Sequence, residues 1–338
     1  MGEQAAGAGH EYERFVVNER NHQRIKKITQ SIIGLPTLPT VITQMIGLID
    51  NPNTSARDVA RLIATDQALT AKILKLANSA FYGFPRKIST VNHAVVVLGF
   101  ETVKSLGLSV SVLERFGGSG KDAAFDRQQF WEHSIACGVG ASLLAGKTRY
   151  RVRGEAFAAG ILHDIGKLIL SQYFPDEFFR IMTIVREDGV YIGEAEQQVL
   201  GLTHAEIGNW LAEKWNLPRQ LVEAIGYHHA PGRLERGAEL PALIHLADFL
   251  CRRQSIGDGG GRAMPKLDPA ALRAFGMHEE PRAALRRIFR YGDQLQQEME
   301  KADAFTSIVR GDPEDGAVKI GKEEGTAGNE EGASLRNQ

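Results

Sequence analysis

An adjacent histidine and aspartate stand inside an otherwise apolar stretch, Gly160-Ile161-Leu162-His163-Asp164-Ile165-Gly166-Lys167-Leu168-Ile169-Leu170. The spacing reads as a helix that has to be buried, and a buried carboxylate is costly without a cation or several hydrogen bonds. A divalent metal would satisfy both residues at once, the imidazole supplying nitrogen and the carboxylate supplying oxygen. The ordinary alternative is an Asp164 to Lys167 pair at i,i+3 with His163 hydrogen-bonded in the core. On this segment alone the two readings stand level, and the rest of the chain has to decide between them.

Apolar positions recur at helical spacing through most of the sequence, whereas alternating strand patterns bounded by Asn-Gly or Asp-Gly turns are hard to find, so the expected class is all-α. Ser55 with Asp58 three residues on reads as a capping box, ahead of Val59, Leu62 and Ile63. Asp66 is placed to cap the next helix, with Leu69, Ile73, Leu76 and Ala77 on one side. A further helix is expected from near Thr90 through Leu98, with a bend at Gly99. The Gly- and charge-rich stretch from Gly117 to Asp126 suggests a boundary between lobes. The chain therefore divides into an N-terminal extension (1–30), a two-lobed domain (31–232, with lobes at about 31–116 and 127–232), a helical extension (233–310) and a tail (311–338). The tail is poor in apolar residues and is expected to be disordered. The loop Ser255 to Lys266, with Gly257, Gly259, Gly260 and Gly261, is expected to be mobile. The apolar supply of the first lobe, including Leu69, Phe81, Tyr82, Phe84, Val95, Val96 and Val97, exceeds what a lobe of that size buries within itself, which predicts packing on the second.

Composition narrows the partners. Lys plus Arg total 40 against 41 Asp plus Glu, so no broad electropositive face for nucleic acid is indicated. Arg57, Arg61, Lys72, Lys75, Arg86 and Lys87 read as a solvated helix face or a local patch. Cys137 and Cys251 sit in apolar stretches with no partner at metal spacing, which suits core thiols in a reducing compartment and predicts no disulfide. The N-terminus lacks the apolar run of a signal peptide, position 6 is alanine where a myristoylation signal takes Ser or Thr, and the longest apolar run, Ala94 to Leu98, is too short to span a membrane. A soluble, cytoplasmic protein without a membrane partner is expected.

Four further features bear on His163 and Asp164. His133 lies in Trp131-Glu132-His133-Ser134, and by itself is an ordinary core or surface histidine. His204 follows Thr203, which with Glu206 reads as a capping box and leaves His204 in a first turn. His228 and His229 close a helix opened by Pro218, where imidazolium would complement the helix dipole. Asp248 is another carboxylate among apolar residues, pairing with His245 at i,i+3 in the plain reading. Together they run His, His-Asp, His, His-His, Asp, each on a separate predicted helix, so that packed helices can bring them to one cavity.

This order and these local contexts resemble the HD superfamily of metal-dependent phosphohydrolases, and His163-Asp164-Ile165-Gly166-Lys167 is similar to the motif of its HD-GYP phosphodiesterase branch. In the first lobe Leu35-Pro36-Thr37-Leu38-Pro39, Thr65-Asp66-Gln67-Ala68-Leu69-Thr70, Ala77-Asn78-Ser79-Ala80-Phe81-Tyr82-Gly83 and Ala94 to Gly99 resemble the HDOD domain, the HD-related output domain of bacterial signalling proteins. The resemblance implies that His133, His163, Asp164 and Asp248 hold one divalent metal, the last from the extension that completes the site. Asp164 would bridge to a second ion held by His204, His228 and His229, and Lys167 would contact a substrate phosphate. The donor set does not separate Fe, Mn, Zn and Ni. Phosphoester hydrolysis on a nucleotide-type substrate is one implied activity. A non-catalytic output module with a structural or sensory metal and a protein partner is the other. After His229 the chain runs Ala230-Pro231-Gly232-Arg233-Leu234 without a Gly-Tyr-Pro signature, which does not support cyclic di-GMP as substrate.

Overall fold

Side chains that cap backbone amides set several of the helix starts. In the computed structural model, which describes residues 34–48, 54–117, 121–122, 125–148, 150, 153–278 and 280–310, the first lobe holds α1 (Thr40–Gly47), α2 (Ala56–Ile63), α3 (Gln67–Ala77), α4 (Val91–Leu98) and α5 (Phe100–Phe116). The expected Ser55–Asp58 capping box opens α2, Asp66 accepts from the Leu69 amide at the start of α3, and Thr90 accepts from the His93 amide at the start of α4. Each satisfies an amide that the first helical turn leaves without a partner. Gly99 bends the chain between α4 and α5 by 119°.

A two-residue antiparallel ladder, β1 (Lys121–Asp122) with β2 (Phe125–Asp126), leads into the second lobe, and the fold is otherwise helical. There follow α6 (Arg127–Ala145), α7 (Arg153–Leu162), α8 (Ile165–Tyr173), α9 (Pro175–Asp188), α10 (Ile192–Leu200), α11 (His204–Lys214) and α12 (Arg219–Tyr227). After a 3-10 turn at Pro231–Arg233 come α13 (Glu239–Arg253), α14 (Pro269–Ala274), α15 (Pro281–Phe289), α16 (Gly292–Lys301) and α17 (Asp303–Arg310). Helix α6 is buried nearly all round and packs on α7, α13, α16 and α17. A helix apolar on every side belongs at the centre of a bundle.

The two lobes share one continuous core. Phe81 stacks at 5.2 Å from Phe157 and 5.8 Å from Phe305, Phe116 lies 6.1 Å from Trp215, and α5 packs along α7. Polar contacts follow the seam: Trp215 Nε1 donates to the Pro36 carbonyl at 2.8 Å and Tyr173 Oη to the Gly34 carbonyl at 3.0 Å. Most of the apolar supply of the first lobe is absorbed this way, while Val96 stays 69% exposed and Phe84 and Val97 over a third exposed. Among the described residues no single helix is long and apolar enough to cross a membrane. The expectations for residues 1–30 and for the 311–338 tail lie outside the described residues.

The single apolar helix expected through His163-Asp164 is instead two. Helix α7 stops at Leu162 and α8 starts at Ile165, with Asp164 at φ −99° and ψ 10° between them. Adjacent residues of one helix point about 100° apart, and the break lets both side chains face the same interior. The glycine-rich loop is folded onto α6: the Asp258 amide donates to the Gln129 carbonyl at 3.0 Å, and Asp258 Oδ1 accepts from the Gly260 and Gly261 amides at 2.8 and 2.7 Å.

Candidate metal centre

Six elements deliver the side chains. His133 comes from the middle of α6, His163 and Asp164 from the α7–α8 break, Lys167 from the first turn of α8, His204 from the first residue of α11, His228 and His229 from the end of α12, and Asp248 from α13. His204 is placed by its Thr203–Glu206 capping box, as the sequence suggests. All are fully buried except His229, which is partly so.

Four imidazoles are oriented the same way. His163 Nδ1 donates to the Gly160 carbonyl at 2.7 Å and His228 Nδ1 to the Ile225 carbonyl at 2.7 Å. His204 Nδ1 donates to Glu196 Oε2 at 2.7 Å, and His133 Nδ1 lies 3.4 Å from the Ile256 carbonyl. A proton fixed on Nδ1 leaves the Nε2 lone pair as the donor, and these four nitrogens point inward. They face carboxylates: His133 Nε2 lies 3.0 Å from Asp248 Oδ1, His163 Nε2 3.2 Å from Asp164 Oδ2, His204 Nε2 3.1 Å and His228 Nε2 3.7 Å from Asp164 Oδ1. His204 Nε2 and His229 Nε2 are 3.0 Å apart.

Several of these buried atoms have no hydrogen-bond partner, namely His163 Nε2, His228 Nε2, Asp164 Oδ1 and Asp248 Oδ2. Unpaired lone pairs and carboxylate oxygens in a dry interior are unfavourable, and cations among them would satisfy all four. Two sets of ligand atoms lie within 4.8 Å of one another: His133, Cys137, His163 and Asp248; and Asp164, His204, His228 and His229. The residues therefore fit a divalent metal, with one Asp164 oxygen turned toward each set.

Ionisation follows from the same neighbours. Burial opposes charge on Asp164, yet His163, Lys167 and His204 hold its carboxyl well below the usual range. Arg252 and His133 do the same for Asp248 against its burial. Burial and the adjacent histidines push His228 and His229 well below their ordinary value, so both are neutral and the imidazolium reading of that helix end fails. Burial would lower His133 too, but Cys137 and Asp248 beside it raise it to about 10. His204 is raised, Glu196 and Asp164 outweighing burial. The plain pairing of Asp248 with His245 is also absent: His245 Nδ1 donates to the His228 carbonyl at 2.7 Å, and its Nε2 accepts from the Asp268 amide at 3.0 Å.

All seven expected ligands are thus gathered, and Lys167 reaches the site but is occupied. Its Nζ donates to Asp164 Oδ2 at 2.5 Å and to the Gly259 carbonyl at 2.6 Å. Cys137 is the buried free thiol the sequence suggests, but sequence reasoning gave it no place beside the site, where its Sγ lies 3.5 Å from His133 Nε2. The signal was its i+4 spacing from His133, which puts both on one helix face. It also missed Glu196 behind His204, Tyr191 at 2.7 Å from His229 Nε2, and Arg252, which donates to Asp248 Oδ1 at 2.8 Å. The glycine loop closes over the site, and a Cβ on Gly259 would meet His133 Nε2 at 2.7 Å.

Known proteins share this fold. The chain superposes on an HDOD domain protein of unknown function from Geobacter sulfurreducens with a TM-score of 0.66 at 24% identity, over 86% of this chain and 97% of that one. It superposes on a candidate phosphohydrolase from Shewanella amazonensis with a TM-score of 0.61 at 25% identity, over 82% and 97%. An uncharacterised protein of Treponema pallidum is 28% identical over 227 residues, 67% of this chain but only 44% of that longer protein. A sequence model of the HDOD domain matches residues 35–231. With more than half its length matched, and with the helices and buried His/Asp clusters described above, the chain belongs to the HDOD domain family.

Proposed function

We propose that this protein is a cytoplasmic HDOD signalling protein with a divalent-metal centre that hydrolyses a phosphoester, of the nucleotide type or similar. One observation carries the reading: imidazoles locked with Nε2 inward surround two anionic carboxylates whose outer oxygens have no partner. In this reading His133, His163, Asp164 and Asp248 hold one ion, and Asp164, His204, His228 and His229 a second. The metal, when bound, acidifies a water and balances charge on the phosphoryl group in transfer. The protein's own contribution is positional. Glu196, Arg252 and the backbone carbonyls fix the ligands, and Lys167 offers its ammonium to a substrate phosphate. Lys167 Nζ has one N–H beyond those given to Asp164 and the Gly259 carbonyl, but it is fully buried under the glycine loop, so substrate entry is coupled to displacement of that loop.

The closed loop also favours a second reading, in which the metal is structural or sensory and the module works through a protein partner. Every ligand but His229 is buried, and Lys167 is shut away with them. Elemental analysis of the purified full chain, together with a phosphoesterase screen on generic and cyclic-dinucleotide substrates, separates the two. Hydrolysis that depends on the bound metal supports the enzyme. Stoichiometric metal without turnover supports the output module, and protein that holds no metal after reconstitution removes both.

A further inference from the structure

We infer that Cys137 is a ligand of the ion held by His133, His163 and Asp248, and that its thiolate biases this position toward zinc or iron over manganese or magnesium. The inference rests on the metal reading above and deepens it. Cys137 lies one turn beyond His133 on α6, and its Sγ is 3.5 Å from His133 Nε2. Two donors of one tetrahedral ion, at roughly 2.0–2.1 Å for nitrogen and about 2.3 Å for sulfur, stand about 3.6 Å apart. Two buried atoms supply the independent observation. His163 and Asp248 lie in the same group as the thiol and are no more than 1% exposed, and His163 Nε2 and Asp248 Oδ2 have no hydrogen-bond partner. An unpaired imidazole nitrogen and an unpaired carboxylate oxygen call for a cation, and Cys137 is positioned to join them. Cys251 is a buried free thiol too and touches Cys137, but it stands outside the set, so a sulfur signal that persists in Cys251→Ser excludes it as the donor.

On coordination the S–H bond of Cys137 breaks and a sulfur–metal bond forms. The proton leaves to buffer, and no electron is transferred. Thiolate is a soft donor, preferred by zinc and iron and poorly matched to manganese or magnesium. Four protein donors before Asp164 is counted also make this a closed position, of the kind that holds structure.

Metal-free full-length protein titrated with cobalt(II) tests this directly. Wild type and Cys251→Ser should develop a near-ultraviolet sulfur-to-cobalt charge-transfer band, and Cys137→Ser should lose that band while still binding cobalt. Zinc should outcompete manganese in wild type by a margin that shrinks in Cys137→Ser. Should the variant fail to fold, X-ray absorption at the zinc edge of the zinc-loaded wild type reads the same contact, as a sulfur scatterer at about 2.3 Å. Cobalt bound without the band, a band that survives Cys137→Ser, or a zinc edge showing only nitrogen and oxygen overturns the inference and leaves the metal centre standing. Failure of every metal to bind overturns the metal reading itself.

Discussion

Glu196 is fully buried, and its Oε2 accepts both the His204 amide at 2.9 Å and His204 Nδ1 at 2.7 Å. A carboxylate behind a ligand imidazole fixes the tautomer and raises the basicity of the far nitrogen. Glu196→Ala is expected to weaken metal binding about 10- to 100-fold by calorimetric titration; unchanged affinity would mean that His204 is not a ligand. Asp164 should be stricter. Because its two oxygens face the two ligand sets, Asp164→Ala is expected to abolish metal retention, whereas Lys167→Ala, which removes only an ammonium bound to Asp164 Oδ2 and Gly259, keeps the metal. Equal loss in both, read by elemental analysis, would point to a structural ion pair. His163, Asp164 and Asp248 were legible as costly groups in an apolar context, whereas His133, His204, His228 and His229 read singly as ordinary residues and were assigned only through their order along the chain and its resemblance to the HD superfamily. Cys137 was not legible, since a thiol among apolar residues is what any core contains. Glu196 was not either, because a glutamate in the polar run Glu194-Ala195-Glu196-Gln197-Gln198 carries no signal that it is buried.

Helix starts could be read from their capping residues, and Ser55, Asp66, Thr90 and Thr203 all cap where the sequence places them. The α7–α8 break could not, because the apolar pattern runs on across it and no glycine or proline stands at the break itself. What lets α8 approach α11 is visible only in three dimensions. A Cβ on Gly166 would lie 2.0 Å from the His204 carbonyl oxygen and 2.9 Å from the Gly208 amide nitrogen, both backbone atoms that no rotamer change can move. Glycine at this crossing brings the first turn of α11, and His204 with it, against Asp164. Gly166→Ala is expected to cost about 1–3 kcal/mol or more from forced separation of the helices, read as a lower denaturant midpoint, and to weaken metal binding as well. Normal metal affinity in a destabilised Gly166→Ala protein would separate helix packing from the site.

The seam between the lobes makes the molecule one folding unit for most purposes. Removing the first lobe would take Phe81 away from the Phe157–Phe305 pair and Phe116 away from Trp215, and leave Trp131 Nε1 without the Phe116 carbonyl it reaches at 3.4 Å. A fragment spanning residues 120–310 is therefore expected to aggregate or lose metal, and a soluble, metal-loaded fragment with unchanged melting would show that the seam contributes little. That the lobes pack was legible from apolar supply alone, but which residues meet was not, because a surplus of apolar surface does not name its partner. The buried histidines give the whole molecule a characteristic pH response. In the metal-free protein His228, His229 and His245 are lowered by burial relative to an ordinary value of 6.5. Below that pH the unfolded chain takes up protons that the folded one refuses, so their contribution is complete above about 6.5 and is lost as pH falls. Asp164 and Asp248, held below 3.8, add a further loss at lower pH. His133, raised to about 10, acts in the opposite sense, with His204 raised in the same direction. The folded state holds the His133 proton that the unfolded state has released, so its contribution is complete below 6.5 and lost as pH rises toward 10. Melting temperature in the presence of a chelator should therefore peak near pH 6.5 and fall on both sides. A bound ion displaces the His133 proton and is held more tightly as pH rises, so the loaded protein should keep its stability on the alkaline side. Parallel melting curves with and without zinc would show that no ion occupies the position between His133 and Asp248.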